Sequence, residues 1–320
     1  MKIVELVKVA KQLVEVNTAV KPGEDVCIVT DTSLTTIAEA VACAANAAGA
    51  ETIMTVMTPR WMHGVEPTKI VAAAMSAADV IFAPTTYSIT HTDATRQALK
   101  SGGRALIMRE ITEDTMLHGA ATADPREIHA LTTKIAEKLT MASRAIVTSP
   151  NGTNIQMSLE GRKARVLSGL VTGPGEMAAF PDGEAPIVPV EGTADGLIVV
   201  EHIMDGVGLL EQPIRLRVEK GRVVEIQGGL EAMKLQEIVE RADENAVNIA
   251  EFAVGTNPRS RLIGNVAESK KLRGSVHFAI GDSKTIGGTI ESEIHLDGLV
   301  LQPTVELDGR IIVERGKITA

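Results

Sequence analysis

Leu272-Arg-Gly-Ser-Val-His-Phe-Ala-Ile-Gly-Asp-Ser-Lys-Thr-Ile-Gly-Gly-Thr-Ile-Glu-Ser-Glu-Ile-His-Leu-Asp-Gly-Leu-Val300 is the stretch around which the rest of the chain is read. It predicts two strands and a glycine-rich connection. Along Glu293-Ile-His-Leu-Asp297 the two-residue period of a strand sends Glu293, His295 and Asp297 to one face, with Ile294 and Leu296 turned into a core. In Ser-Val-His277-Phe-Ala-Ile the same period isolates a second imidazole between apolar neighbours, where packing alone favours valine or isoleucine. Two imidazoles and a carboxylate supply nitrogen and oxygen donors for a divalent cation. A single histidine on an apolar strand is more often a hydrogen-bonded core residue than a ligand, so the neighbouring segments carry the decision.

Outward from this stretch, the second half of the chain is turn-rich: 22 of the 28 glycines lie at Gly152 or beyond. Three segments beginning at Ile155, Ile214 and Thr304 alternate apolar and polar residues around an Xaa-Gly turn and predict hairpins, and one long helix is predicted from Leu230 to about Ala242. The first half reads differently. A helix over Val4–Val16 leads to alternating strands (Val26–Thr30, Thr52–Met57, Asp79–Ala83, Arg104–Met108) and helices, a pattern expected of a mostly parallel, Rossmann-like sheet covered on both faces. The expectation is two domains: an α/β domain over 1–148, then a β-rich α+β metal-binding domain over 149–320. The turn after the first strand, Thr30-Asp-Thr-Ser33, lacks the G-x-G-x-x-G of a dinucleotide site, which argues against a nucleotide cofactor. Asp31, Thr32 and Ser33 read as helix-capping residues, with lining of a ligand at the sheet's carboxyl end as the other option. Trp61 and Tyr87, the single tryptophan and tyrosine, fall in loops and read as cleft-wall or interface residues.

The formal charge of −9, from 32 basic and 41 acidic residues, disfavours a nucleic-acid footprint and binding to membrane surfaces. No apolar run reaches membrane-spanning length, and the N-terminal segment reads as an amphipathic helix and not a signal peptide. Cys27 and Cys43 form no metal or redox pair and read as small buried residues of a reducing cytoplasm.

Two further carboxylates complete the donor list. Pro181-Asp-Gly-Glu184-Ala-Pro places an acid in a turn, and Ile249-Ala-Glu251-Phe-Ala-Val interrupts an apolar run with one whose burial costs several kcal/mol unless it is paired or metal-bound. The ordered series Pro-Asp-Gly-Glu184, Ala-Glu251-Phe-Ala-Val-Gly-Thr-Asn-Pro, Val-His277-Phe-Ala-Ile-Gly and Ile-His295-Leu-Asp297 resembles the metal-ligand series of the thermophilic-type metallo-aminopeptidases, aminopeptidase T and aminopeptidase S. The resemblance covers most of residues 145–320 and, more loosely, the α/β half. It implies a dinuclear site with Glu184, Glu251, His277, His295 and Asp297 as ligands, Glu251 bridging, and a homodimer with the site between domains. That family's tyrosine seven residues after the first histidine is Lys284 here. The 2,5-dihydroxypyridine 5,6-dioxygenases are similar in plan, but use a mononuclear Fe(II) facial triad with histidine where this chain has Glu251.

The expected function is a metal-dependent hydrolase, an aminopeptidase acting on small peptides with two divalent ions (Zn, Co or Mn) that activate water. Glu293, or Glu184 if it is not a ligand, is expected to shuttle the proton, and Lys284 to stabilise the oxyanion. The alternatives are an Fe(II)-dependent ring-opening dioxygenase and a non-catalytic metal or small-molecule binding protein.

Overall fold

The computed structural model describes residues 2–319 and divides the chain into two compact units. The first comprises the residues up to Glu127 together with Leu167–Asp182; the second comprises Ile128–Val166 and the chain from Gly183 onward. The single boundary expected at 148 therefore gives way to an interleaved division, in which a late segment returns to complete the first unit's sheet.

That sheet is parallel. Its strands run in the order Glu51–Met57, Asp25–Asp31, Val80–Thr85, Arg104–Arg109 and Met177–Ala179, the last supplied by the returning segment. The first four follow the doubly wound 2-1-3-4 order, which differs from the 3-2-1-4-5-6 order of the Rossmann dinucleotide fold. Strand alternation builds two cores. Val26, Ile28, Val80, Phe82 and Leu106 pack with Leu6, Leu13, Ile37 and Val41, while Cys27, Val29, Ile81, Ala83 and Ile107 pack with Val71, Met75, Ala94 and Ala98. The expected capping role of Asp31 is not the one observed. Leu34 occupies the N-cap position, and the Asp31 carboxylate instead accepts from the backbone N–H groups of Ser33 (3.0 Å) and Thr86 (2.7 Å), tying two strand ends together. Cys27 is buried, and burial pushes its thiol up to about 11. Cys43 is exposed on its helix, contrary to the expectation for it.

The second unit contains two antiparallel sheets. One has eight strands, ordered Arg222–Gln227, Ile214–Glu219, Asp195–Val200, Asn154–Ser158, Arg144–Thr148, Thr304–Leu307, Arg310–Glu314 and Lys317–Ile318. The hairpins expected at Ile214 and Thr304 form, with turns at Lys220-Gly221 and Asp308-Gly309. The one expected at Ile155 does not. Its strand pairs back to Arg144–Thr148 and sideways to Asp195–Val200, because neighbouring strands satisfy its edges better than the chain after Gly161. The other sheet has six strands, ordered Gly208–Leu209, Ile203–Met204, His295–Val300, Val276–Gly281, Ile249–Gly255 and Glu184–Ile187. A single apolar core joins the unit, with the helix Leu230–Arg241 contributing Ala232 and Leu235. Among the described residues no helix is long and apolar enough to cross a membrane.

Candidate metal centre

Four adjacent strands of the six-stranded sheet carry the five donor residues. Asp297 pairs with Ala279, which pairs with Glu251; His277 pairs with Ala253; His295 pairs with Gly281; and Glu184 pairs with Gly255. Partners across a sheet project to the same side, so these residues form one polar face interleaved with alanine and glycine, whose small size leaves room between the donors. The opposite face is core: Phe252, Val254, Val276, Phe278, Ile280 and Val300 pack there, with the two phenyl rings stacked at 5.4 Å.

A local irregularity precedes Glu251 on its strand. Ile249 pairs with Ile280 but Glu251 pairs with Ala279, so Ala250 is an extra residue that shifts the register by one. Glu251 is in continuous register with Phe252–Val254 and shares the face of His277 by simple alternation, while the bulge turns Ile249 to the apolar side opposite Ile280. Two glycines permit close approaches that a side chain would block. Gly281, at φ +103°, faces the carbonyl of Ile294, and a Cβ there would lie 2.1 Å from that oxygen. Gly183, at φ +139°, lies against Asn257, whose Cβ would be 2.7 Å away, and its carbonyl accepts from Thr256 at 2.8 Å just before Glu184.

The resulting geometry centres on Glu251. Its Oε1 lies 3.3 Å from His277 Nε2 and its Oε2 lies 3.1 Å from His295 Nε2. Glu184 Oε2 is 3.5 Å from His277 Nε2, and Asp297 Oδ1 is 3.7 Å and 3.6 Å from the Nε2 atoms of His277 and His295. Two trios, Glu184–Glu251–His277 and Glu251–His295–Asp297, each bring one donor atom per residue within 4.8 Å of the others. Glu184 Oε2, Asp297 Oδ1 and His277 Nδ1 are buried without a hydrogen-bond partner. Buried carboxylate oxygens left unengaged while aimed at imidazole nitrogens fit a cation, since a purely structural cluster would satisfy them.

Two cations of the chain itself also reach the cluster. Lys270 lies 2.8 Å from Asp297 Oδ2 and 3.7 Å from Glu184 Oε1, and Lys271 pairs with Glu184 Oε1. Both follow the short helix Val266–Ser269, and the carbonyl of Lys271 accepts from Asn257 at 2.9 Å, which anchors the chain there. Burial acts to raise the Asp297 and Glu184 carboxyls, but the lysine ammoniums and nearby imidazoles outweigh it. Asp297 is held well below its ordinary value, and Glu184 is also lowered. Glu251 is lowered against burial by hydrogen bonds from His277 and His295. Burial would depress His295, yet the Asp297 and Glu251 carboxylates beside its Nε2 hold it well above the usual histidine value. Its Nδ1 lies 2.7 Å from the Asp282 carbonyl, so Nδ1–H donates there and Nε2 faces the carboxylates.

The structure brings together Glu184, Glu251, His277, His295 and Asp297, and it gives the two expected catalytic residues other surroundings. Lys284 is exposed in a short 3₁₀ turn, Lys284–Ile286, and its ammonium pairs with Glu291. Glu293 precedes the strand, which starts at His295, and its side chain is exposed while its N–H donates to Asp243 at 2.6 Å. The reason is local: Asp243 and Asp282 gather the backbone of this connection into turns before pairing begins, so the strand period does not extend back to Glu293. The cations that do reach the cluster are Lys270 and Lys271, which strand periodicity does not mark. Their one signal is a lysine pair between the short helix Val266–Ser269 and the buried strand Val276–Gly281.

The model of the 2,5-dihydroxypyridine 5,6-dioxygenase family, NicX, matches residues 5–320. The chain belongs to this family. Among solved structures, the family's fold is seen in a 2,5-dihydroxypyridine dioxygenase from Pseudomonas putida KT2440, with a TM-score of 0.82 and 20% identity, covering 98% of this chain and 97% of the other. AmpT from Thermus thermophilus is also similar, with a TM-score of 0.75 and 17% identity, covering 99% of each chain. At these identities the likeness is one of fold. No curated protein matches the chain in sequence.

Proposed function

We propose that the chain is a divalent-metal-dependent hydrolase that cleaves an amide bond in a small peptide or related small molecule. The observation that supports this is Glu251, a single carboxylate whose two oxygens face two different imidazoles and which therefore belongs to both trios. One imidazole with two carboxylates is a donor set suited to Zn, Co or Mn. Bound there, such ions lower the pKa of a water toward neutrality and polarise a carbonyl. The protein's own groups do the rest. Asp282 fixes His295 with Nε2 toward the cluster, and Lys270 engages Asp297 Oδ2 so that Oδ1 stays available. If Glu251, His295 and Asp297 hold the ion and Glu184 is not a ligand, Glu184 Oε2, buried and without a hydrogen-bond partner, would be the group to take up a proton.

Iron-dependent ring opening is the second reading, and the family match over residues 5–320 favours it. Against it, the triad of that family takes a histidine where this chain has Glu251. Chelated protein reloaded with Zn, Co, Mn or Fe(II) decides between them, assayed on neutral and acidic amides and, with an oxygen electrode, on dihydroxypyridines. Amide cleavage without oxygen uptake supports the hydrolase; oxygen uptake with Fe(II) and no amide cleavage overturns it. Metal bound without turnover of either kind leaves a metal-binding protein. A homodimer is proposed as well, supported by the edge strand Glu51–Met57, which leaves Ile53, Met54 and Val56 exposed. Sedimentation as a monomer at micromolar concentration would count against it.

A further inference from the structure

Solvent reaches the five donors at one of them. The His295 side chain is 26% exposed, whereas those of Glu184, Glu251, His277 and Asp297 are 4% exposed or less. His295 is also where the glycine-rich connection Asp282–Ile294 is anchored, since its Nδ1–H donates to the Asp282 carbonyl at 2.7 Å. From the ends of the strands that carry His277 and His295, this connection passes the strand of Glu251 and reaches the end of the strand that carries Glu184. There Gly288 lies so close to Val188 that a Cβ on it would be 2.9 Å from Val188 Cγ1. Next to it, Thr289 donates its backbone N–H at 3.1 Å and its hydroxyl at 2.8 Å to Glu191 Oε1, while Arg162 pairs with Glu191 Oε2 and holds that carboxylate in place. All of these residues belong to the second unit.

The connection is tied unequally along its length. At its foot the Asp282 carboxylate accepts from Thr285 and Ser292, and the N–H groups of Ser283 and Lys284 both donate to the Ile290 carbonyl at 2.9 Å, so the two limbs are stitched together. Asp243 holds the returning limb through the Ser292 hydroxyl at 2.8 Å and the Glu293 N–H at 2.6 Å. Along the tip, Lys284 to Thr289, Glu191 is the only hydrogen-bonding partner outside the connection among the described residues, and Lys284, Thr285, Gly287 and Thr289 are exposed. Few buried contacts and a single tie put this tip at the low-stability end of the fold, where a segment opens without global unfolding. We infer that Asp282–Ile294 is a strap across the solvent entrance to the donor cluster, latched at its tip by Glu191, so that Glu191 governs how fast a metal ion enters and leaves. The entering ion rests on the metal reading above; the latch does not.

Hydrogen–deuterium exchange of the full-length protein without metal reads the latch. Glu191→Ala is expected to speed exchange of the 284–289 amides by about tenfold or more, since the tip loses two hydrogen bonds, while the strand Ile249–Gly255 keeps its rate. Thr289→Val, which loses one of the two, is expected to give a smaller increase, and Glu191→Gln, which keeps an acceptor, to stay nearer the unaltered protein. Stopped-flow binding of Co²⁺, and its release to excess chelator, read the entrance. Both rates are expected to rise by about tenfold or more in Glu191→Ala, with the equilibrium affinity within a few-fold because Asp282 still anchors His295. A residue that only stabilised the fold would not speed both rates together. Unchanged tip exchange in folded Glu191→Ala overturns the latch, and faster tip exchange with unchanged Co²⁺ rates overturns the gate; both results leave the metal reading intact. No bound Co²⁺ at any concentration overturns the metal reading and the gate with it.

Discussion

Arg104 with Glu24 in the first unit and the three clustered carboxylates in the second both hold opposite charges below the surface, yet only one set leaves donors or acceptors unmet. The Arg104 guanidinium forks onto both Glu24 oxygens at 3.0 and 2.7 Å and gives two more donors to the carbonyls of Thr18 and Ala19. Glu24 also accepts from the Lys21 N–H at 2.8 Å. In the cluster, Glu184 Oε2, Asp297 Oδ1 and His277 Nδ1 have no partner although two lysines are close by. Buried charge by itself therefore does not mark a functional site. A satisfied pair is architecture, whereas unmet acceptors converging on imidazoles are the arrangement from which the metal reading is proposed.

The largest expected effect comes from removing a donor. His295→Ala or Asp297→Ala is expected to weaken metal binding by about a hundredfold or more, with far-ultraviolet circular dichroism unchanged, since the residues lie opposite the apolar core. Full metal occupancy in either variant would show that the cluster is architecture like the Arg104 fork. Next is Gly281→Ala, whose Cβ would strike the Ile294 carbonyl next to His295. A loss of roughly 1–3 kcal/mol in denaturant unfolding is expected, with weaker metal binding; an unchanged stability would mean the close approach is relaxed in solution.

Arg104→Met should cost about 2 kcal/mol, because it strands Glu24 and two carbonyls, and it should leave metal stoichiometry untouched. Loss of metal in that variant would break the separation drawn between the two regions. The pH dependence sharpens it. Glu24 and the three clustered carboxyls have lowered folded values, so their contribution to stability is present above the ordinary carboxylate range and is lost as pH falls through those values. His295 has a raised value, so its contribution is present below the ordinary histidine value and is lost as pH rises through the raised one. An ion has to displace that His295 proton, so the rise in Tm on adding metal is expected to grow as pH rises from the ordinary histidine value toward the raised one. A rise that shrinks over that range would speak against His295 as a ligand. The smallest effects are expected for Lys284→Met and Glu293→Gln, less than about fivefold on metal affinity, since both side chains are exposed.

The sequence by itself determined what local periodicity can carry. Alternation in His295-Leu-Asp297 places two donors on one face whatever the partner strand, and the run of strands and helices in the first half dictates a sheet covered on both sides, as the two apolar cores now show. An acid inside Ile249–Val254 could be recognised as one needing a partner because burial makes it costly. Tertiary structure decided the rest, because pairing register and chain crossings are set by contacts between residues far apart in sequence. The extra residue Ala250 brings Ile249 to the apolar side opposite Ile280 ahead of Glu251, and no local pattern signals that bulge. Leu167–Asp182 leaves the β-rich half to finish the parallel sheet. Glu293 follows the same alternation as His295 and Asp297 but is captured by turns, while Lys270 and Lys271, silent in any strand or helix period, are carried to the carboxylates by the backbone bond from Asn257 to Lys271.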